Sequence, residues 1–258
     1  MRPARRRGRF ERVTQENTQP VAGDQSLPTR VAAIDWPKLT QALDEQGFAT
    51  IEGLLAPAEC ERLVALYAEE ALFRKRVVMQ RHGYGRGEYQ YFAYPLPPLV
   101  QALRTSLYPP LVPIANRWSE GLKRDVQFPE AHAEFVARCQ AAGQSRPTPL
   151  LLKYEADDYN CLHQDLYGEH VFPLQVAILL SAQRDFSGGE FVMTEQRPRK
   201  QSRPMVVPLG QGDAVVFAVH QRPVLGTRGF HRVDLRHGVS RLRSGRRHTL
   251  GVIFHDAT

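Results

Sequence analysis

Few cysteines and no long apolar run occur in this 258-residue sequence. Its three cysteines, Cys60, Cys139 and Cys161, are far apart and form no CxxC pair. Their spacing argues against a disulfide framework and a cysteine-based zinc site, and it favours a reducing compartment. No apolar run reaches the roughly 18 residues that span a bilayer, and the N-terminus lacks the apolar segment of a signal peptide. These absences predict a cytoplasmic protein without a membrane partner.

Negative charge is scarce at two places in a chain whose net charge is +7. Residues 1–12 contain six arginines and a single acidic residue, and residues 197–247 contain twelve basic residues against Asp213 and Asp234. Fields of this sign attract anions such as a phosphodiester backbone or a small dicarboxylate. The distribution predicts nucleic acid as a partner through the basic arm and residues 197–247, with a solvated tail as the alternative for the arm.

Composition divides the chain into a leader and one domain. Residues 1–30 are polar and rich in Arg, Gln and Pro, which predicts a flexible basic leader, and residues 31–258 are predicted to form a single domain. Its first part, residues 31–148, has helical patterns. Residues 149–258 contain many short strand-like runs separated by Gly-rich corners, a pattern typical of a β-sandwich or barrel. We therefore expect a mainly β fold with N-terminal helices.

Capping and turn signals predict the elements of the helical part. A helix is expected to begin near Asp35 and to end at Gly47. Pro109, Pro110 and Pro113 are expected to break a later helical stretch, because proline removes a backbone donor. The Tyr-rich segment 82–94 predicts a hairpin or a mobile lid that displays aromatic rings. Further elements predicted in this part are a strand at 48–53, a helix after Pro57 and a helix within 128–143.

A histidine and an aspartate at the end of one predicted strand form the first chemical motif. His163 and Asp165 are two residues apart, so a strand would point both side chains to the same face. Together with a histidine from a distant strand, they would form the two-His-one-carboxylate set that leaves open positions on Fe(II). The alternative is a surface turn in which Asp165 caps backbone amides.

A second histidine and an arginine ten residues later complete the pattern. His237 lies in the sequence His-Gly-Val-Ser and precedes Arg247, which alternation places on one strand face with Thr249 and opposite Arg246. If that face is buried, Arg247 needs an anion, because an unpaired buried charge is very costly. A guanidinium binds a carboxylate bidentately, so a dicarboxylate ligand fits. The remaining histidines are competitors or packing residues: His220 and His231 as alternative distal ligands, and His170 and His255 in packing or beside the ligands.

Three segments together resemble the 2-oxoglutarate/Fe(II)-dependent dioxygenase superfamily. They are His-Gln-Asp at 163–165, His-Gly-Val-Ser at 237–240 and Gly-Arg-Arg-His-Thr-Leu at 245–250. The resemblance covers residues 149–256 and implies a double-stranded β-helix, the jelly-roll or cupin-like core, flanked by helices. It also implies a 2-oxoglutarate-dependent dioxygenase that hydroxylates a C–H bond and releases succinate and CO2.

The resemblance assigns roles residue by residue. It implies Fe(II), 2-oxoglutarate and O2 as cofactors, with ascorbate as an accessory reductant. The residues it implies are the iron ligands His163, Asp165 and His237, and the 2-oxoglutarate contacts Arg247, Thr249 and Tyr154.

Several substrates are compatible with these motifs. The His-Gly-Val-Ser segment resembles prolyl hydroxylases, which act on protein side chains, although Arg247 stands where that branch often has lysine. Tyr154 nine residues before His163 resembles the dioxygenases that demethylate alkylated nucleobases, although Ile253 stands where those enzymes carry a second arginine. Small-molecule hydroxylation also stays open. Outside this superfamily, the alternatives are a cupin-like metal protein without 2-oxoglutarate chemistry and a non-catalytic nucleic-acid-binding module.

Overall fold

The structure is a computed structural model, and it describes residues 25–227 and 229–258. Residues 1–24 of the predicted leader lie outside the described residues, whereas its last residues belong to a helix. That helix begins at Leu27, and its Arg30 donates two hydrogen bonds to Glu59 at 2.7 and 2.8 Å. Within the described ranges, no helix combines the length and the apolar character needed to cross a membrane.

All the α-helices of the described residues lie before residue 150. The predicted helix between Asp35 and Gly47 is confirmed: the Asp35 carboxylate accepts a hydrogen bond from the Lys38 amide at 3.0 Å, and Gly47 ends the helix at φ 83°. A glycine fits this left-handed position because it has no Cβ. The described helices are α1 (Leu27–Ala32), α2 (Trp36–Gln46), α3 (Pro57–Ala65), α4 (Pro98–Gly121) and α5 (His132–Ala141).

Helix α4 corrects one expectation. The prediction that prolines break this stretch is wrong, because Pro109, Pro110 and Pro113 all lie inside the helix. Leu107 and Trp118 of the same helix are buried in the main core. Tertiary burial of that apolar stripe outweighs the lost backbone donors, which local propensity alone does not foresee.

Antiparallel strands form two facing sheets. In the larger sheet the order is β1-β11-β7-β14-β5-β4-β2, with β8 paired to β14. In the smaller sheet it is β10-β9-β13-β6-β3, with β12 paired to β13. The described strands are β1 (Phe48–Ile51), β2 (Phe73–Val78), β3 (Gly85–Arg86), β4 (Glu88–Phe92), β5 (Leu150–Glu155), β6 (Tyr159–His163), β7 (Leu174–Leu179), β8 (Phe186–Gly188), β9 (Phe191–Gln196), β10 (Arg203–Val207), β11 (Ala214–Ala218), β12 (Gln221–Gly226), β13 (Gly229–Val239) and β14 (Leu242–Val252).

The predicted fold class is confirmed. Strands from residue 150 onward are shared between the two sheets, and the α-helices lie before them in sequence, as in a jelly roll flanked by helices. Strands β12 and β13 have no continuous apolar run, because Arg222 interrupts the first and charged residues and histidines interrupt the second. One cavity remains between the inner faces of the sheets.

The Tyr-rich segment links the sheets. β3 pairs with β6 in the smaller sheet, and β4 pairs with β5 in the larger one. Phe92 is fully buried in the core, whereas Tyr84 is 50% exposed. Tyr89 and Tyr91 line the cavity. The segment therefore forms part of the cavity wall, and the ring of Tyr84 is exposed at the cavity entrance.

Candidate metal and co-substrate site

Three predicted side chains from two strands meet at one point. His163 ends β6, Asp165 follows two residues later, and His237 lies opposite His163 in the register of β13. The Asp165 carboxylate oxygens lie 3.5 Å from His163 Nε2 and 3.3 Å from His237 Nε2. One ligand atom from each residue lies within 4.8 Å of the other two. Strand pairing therefore brings together residues that are more than seventy positions apart in sequence.

The charges of the three groups are coupled. Burial opposes ionisation of Asp165, but hydrogen bonds from the two imidazoles outweigh it and lower the pKa of this carboxyl well below its usual value. Burial lowers the pKa of His237, and the neighbouring His163 lowers it further. Burial also acts to lower the pKa of His163, but the Asp165 carboxylate outweighs it and raises that pKa. An ionised carboxylate beside two imidazoles is a set of donors ready for a cation.

Further contacts orient these donors. His163 Nδ1 lies 2.8 Å from the Cys161 carbonyl oxygen, which leaves Nε2 free to face Asp165. The Tyr167 hydroxyl donates to Asp165 Oδ1 at 2.7 Å. The sequence analysis missed Tyr167, which lies beyond the end of β6 in a segment without regular secondary structure, where no strand alternation marks it. Phe217 packs beside His237, with ring centroids 4.6 Å apart.

The same cavity is lined by a buried cation. Arg247 on β14 is 1% exposed and makes no ion pair with any described residue. Its Nη1 donates to Thr249 Oγ1 at 2.6 Å, and its Nε has no partner. Burial lowers the pKa of Arg247 to about 10, so the group is still charged at neutral pH. A Cβ at Gly189, where φ is 66°, would lie 3.0 Å from Arg247 Cδ, so this glycine makes room for the arginine.

Tyr154 lies on the neighbouring strand, directly opposite Arg247 in the register of β5 and β14. The guanidinium carbon of Arg247 is 5.8 Å from the centroid of the Tyr154 ring. Among the described residues, the buried Tyr154 hydroxyl has no hydrogen-bond partner, and neither does Oε1 of Gln175. Gln175, a cavity residue that the sequence analysis missed, gave no motif signal because it stands alone in an apolar strand.

All six predicted site residues line one cavity of about 360 Å³, which we name the central cavity. The cavity is thus lined both by the metal-type donors and by Arg247 with its polar neighbours. The cavity residues predicted from sequence are His163, Asp165, His237, Arg247, Thr249 and Tyr154.

The competing residues lie elsewhere. His220 faces Asp234 at 3.8 Å, and Arg246 pairs with Glu155 at 3.3 Å. His255 is fully buried, where its Nδ1 accepts a hydrogen bond from the Phe172 amide. The residues left off the central cavity are His170, His220, His231, Arg246 and His255.

The donor chemistry fits a divalent iron site. Two imidazole nitrogens and one carboxylate oxygen suit Fe(II) and leave positions for further ligands. The unpartnered Arg247 Nε and Tyr154 hydroxyl are a complementary lining for the carboxylate end of 2-oxoglutarate. The fold and this site define a 2-oxoglutarate/Fe(II)-type oxygenase.

Comparison with known proteins leads to the same class. Residues 87–257 match the Oxygenase-NA family, which is described as an oxygenase catalysing oxidative methylation of damaged DNA. The chain belongs to the Oxygenase-NA family, and with it to the 2-oxoglutarate/Fe(II)-dependent dioxygenase superfamily. The superfamily predicted from sequence is thus confirmed.

Two relatives and two solved structures illustrate the similarity. The uncharacterized proteins Rv2227 and MT2286 of Mycobacterium tuberculosis are each 46% identical over 196 residues, which covers 74% of this chain and 84% of theirs. A 2OG-Fe(II) oxygenase family oxidoreductase from Burkholderia pseudomallei has a TM-score of 0.51 at 16% identity, over 88% of this chain and 94% of that one. A prolyl hydroxylase from Trichoplax adhaerens, solved with a peptide fragment of hypoxia inducible factor, has a TM-score of 0.50 at 11% identity, over 89% and 93%. These structures share the fold.

Proposed function

We propose that this protein is an Fe(II)- and 2-oxoglutarate-dependent dioxygenase that demethylates an alkylated base in nucleic acid. One observation carries the proposal. A single cavity is lined by a two-His-one-carboxylate cluster and by a buried arginine that has no acidic partner among the described residues. The arginine distinguishes it from a cupin-like protein that only binds metal, in which a buried arginine would be paired with an acid of the fold.

The roles of the residues follow from their positions. His163, Asp165 and His237 would hold the iron, and Tyr167 would fix the Asp165 carboxylate through its hydrogen bond. Arg247 with Thr249 would bind the distal carboxylate of 2-oxoglutarate. The apolar and aromatic walls around them exclude water from the reacting carbon.

Tyr154 would complete the co-substrate end of the central cavity. Its buried hydroxyl lacks a partner, and a carboxylate at Arg247 is the acceptor that this donor needs. When bound, iron with 2-oxoglutarate and O2 supplies a two-electron oxidation that couples decarboxylation to hydroxylation of a C–H bond.

Removal of an N-methyl group is the reaction that these reactants balance. O2 and 2-oxoglutarate deliver one oxygen atom to the N-methyl carbon and one to succinate, with release of CO2. The N-hydroxymethyl product then loses formaldehyde, which leaves an N–H on the base. No methyl donor takes part, so we read the family's activity on damaged DNA as removal of a methyl group.

Two features favour a nucleobase over a protein side chain. The family description names damaged DNA, whereas the prolyl hydroxylase similarity concerns the fold. The cavity entrance displays Tyr84, and Tyr89 and Tyr91 continue the aromatic wall inward. Aromatic rings stack on any base, with a contribution of about 1–3 kcal/mol per base.

Substrate-dependent succinate formation tests the proposal. Fe(II), 2-oxoglutarate and the purified protein are assayed with N-methylated oligonucleotides, proline-containing peptides or free amino acids, with and without ascorbate. We expect the oligonucleotides to stimulate succinate and to release formaldehyde in equal amount. Stimulation by peptides alone would transfer the proposal to protein side chains. Nucleic acid bound without any succinate would leave a binding module.

Asp165→Ala provides the matching loss of function. We expect succinate production to fall at least about a hundredfold, because the iron loses its carboxylate ligand. Asp125→Ala is the control, since Asp125 is exposed and lines no part of the central cavity. Full turnover in Asp165→Ala would refute the assigned metal site.

A further inference from the structure

A second cavity opens at the base of the β12–β13 hairpin, away from the central cavity. It measures about 480 Å³ and lies where the C-terminal end of α4 meets the hairpin. We name it the hairpin cleft. Its lining residues are Gly121, Leu122, Lys123, Arg124, Gln221, Phe230 and Arg232.

The hairpin cleft is cationic and its charges lack acidic partners. Lys123, Arg124 and Arg232 line it, and none of the three makes an ion pair with a described residue. Arg124 donates a hydrogen bond to Gln221, a neutral group. Burial and then repulsion by Arg232 lower the pKa of Arg124, so the two guanidinium groups sense one another. A bound anion would relieve this repulsion.

The pKa of His220 is affected by the same positive charges. Burial lowers its pKa, Asp234 opposes that shift, and Arg124 and Arg232 reinforce it. The Asp234 carboxylate lies 3.8 Å from His220 Nε2, and it accepts a hydrogen bond from Gln221 Nε2 at 2.6 Å. Asp234 is therefore already bonded to the neutral side chain of Gln221. The guanidinium groups of Arg124 and Arg232 remain available to an anionic ligand.

An exposed aromatic ring stands beside these cations. Phe230 is 57% exposed, and its ring lies against the end of α4, where a Cβ on Gly121 would be 3.6 Å from it. Leu225, its cross-strand partner on the hairpin, is 71% exposed but does not line the cleft. A ring next to several cations is the combination that binds a base and its phosphate.

Strand β13 carries residues of both the hairpin cleft and the central cavity. Phe230, Arg232 and Arg236 share its exposed face, whereas the next residue, His237, points to the buried face and lines the central cavity. Successive residues on this face are about 7 Å apart, and Arg232 is about 17 Å from His237 along the strand. The neighbouring strand β6 carries Leu162, which is exposed and also lines the central cavity.

We propose that the hairpin cleft and Arg236 bind the phosphodiester backbone of a nucleic-acid strand whose modified base enters the central cavity. This inference rests on the proposed function, since it assigns the track by which the substrate strand is held. Phosphates lie along Arg124, Arg232 and Arg236, and one unstacked base lies on Phe230. The contacts are independent of base sequence, because they involve phosphates and a ring face.

Binding of a fluorescent single-stranded oligonucleotide by the full chain tests the cationic part. In Arg124→Gln/Arg232→Gln we expect weaker binding, and we expect the log–log salt slope to become shallower by about 1.4, the value for two lost phosphate contacts. The control Arg62→Gln/Arg184→Gln removes the same charge from exposed arginines outside the cleft. Equal losses in both double variants would reduce the effect to overall charge and overturn the proposal.

The aromatic part has its own matched pair. Phe230→Ala is expected to weaken binding of the oligonucleotide several-fold, whereas Leu225→Ala is expected to bind like the native chain. Identical behaviour of the two variants would remove Phe230 from the site. A polyglutamate peptide that displaces the oligonucleotide at equal charge concentration would show a general acidic-protein surface and also overturn the proposal.

Two readouts separate this inference from the proposed function. Oligonucleotide binding is measured without iron, 2-oxoglutarate or turnover, so it reports on the hairpin cleft alone. Succinate formation with a methylated nucleoside, which has no phosphate backbone, reports on the central cavity, and we expect the double variant to keep it. If the double variant loses oligonucleotide binding and keeps succinate formation, the proposed role of the hairpin cleft is supported. If the native chain forms no succinate, only the proposed dioxygenase function is refuted.

Discussion

Two equally buried arginines of this fold differ in their partners: one is paired with a carboxylate and the other is not. Arg104 on α4 and Arg247 on β14 are each 1% exposed. Arg104 donates to the Asp256 carboxylate at 2.7 Å and to the Tyr94 hydroxyl at 2.8 Å. Arg247 donates to the neutral Thr249 hydroxyl and has no acidic partner among the described residues.

The surroundings of Arg104 are those of a structural anchor. Its remaining donors bind the backbone carbonyls of Ile253 and Phe254 at 2.9 and 3.1 Å, so all sides of the guanidinium are satisfied. The contact ties α4 to the end of the chain. A buried charge that is fully paired can be tolerated without a ligand, whereas an unpaired one indicates that a partner is brought by something else. The comparison therefore separates a group that serves folding from one that serves binding.

Removing the acid at the structural arginine should have the largest effect on stability. In Asp256→Ala, Arg104 becomes an uncompensated buried cation, which costs about 3–5 kcal/mol of unfolding free energy. Urea unfolding measures this loss. A cost below about 1 kcal/mol would contradict the role of Arg104 as a paired anchor. The control Asp125→Ala changes an exposed aspartate and should unfold like the native chain.

Replacing the other arginine should affect binding and leave stability nearly unchanged. In Arg247→Met, the fold loses an unpaired buried charge, so we expect equal or higher stability without 2-oxoglutarate. The KM for 2-oxoglutarate should rise by the roughly 2–5 kcal/mol that a truncated buried charge pair costs, at least about thirtyfold. Arg246→Met is the control, because Arg246 is exposed on the opposite face. A shift of less than about threefold would remove Arg247 from the co-substrate site.

A single hydroxyl at the metal end should have a smaller effect. Tyr167→Phe removes the hydrogen bond to Asp165 and keeps the ring. We expect affinity for Fe(II) to fall about 10–100-fold, as for other groups that orient metal ligands. Anaerobic Fe(II) titration measures the change, and Tyr84→Phe at the exposed entrance serves as the control. Unchanged affinity would show that Asp165 is held by its imidazole neighbours alone.

The smallest expected effect is a pH dependence of the unfolding free energy, and it arises from two histidines near Arg104. Burial, reinforced by Arg104, lowers the pKa of His132 to about 4 and that of His255 to about 3. Below about pH 6.5 the unfolded chain takes up protons that these folded imidazoles do not, so stability falls as pH decreases toward 4. We expect a slope of up to about 1.4 kcal/mol per pH unit for each group.

Unfolding midpoints between neutral and mildly acidic pH measure this slope. His132→Gln should make it shallower, because one buried imidazole no longer contributes. His82→Gln, at an exposed histidine, should leave it as in the native chain. If both variants have the same slope, protonation of the groups around Arg104 is not what destabilises the fold in acid.

The metal end of the site was predictable because its signal is local. Asp165 follows two residues after His163, which ends β6, and alternation on β14 put Arg247 and Thr249 on one face, opposite Arg246. Helix α4 was not predictable in this way, since the burial of Leu107 and Trp118 outweighs three prolines. The hairpin cleft left no motif, because α4 and the β12–β13 hairpin supply its walls from positions about a hundred residues apart.

Composition and strand spacing by themselves predicted a mainly β fold with N-terminal helices, and the resemblance of three short segments to a known superfamily pointed to six residues of the central cavity. These signals depend on the order of side chains along one strand or helix, which the chain carries before it folds. Only the tertiary structure decided which buried arginine has an acid beside it, which tyrosine holds Asp165 and where the cations of the hairpin cleft converge. Pairing, burial and charge repulsion depend on distances between separate elements, and those distances exist only once the two sheets and α4 have packed together.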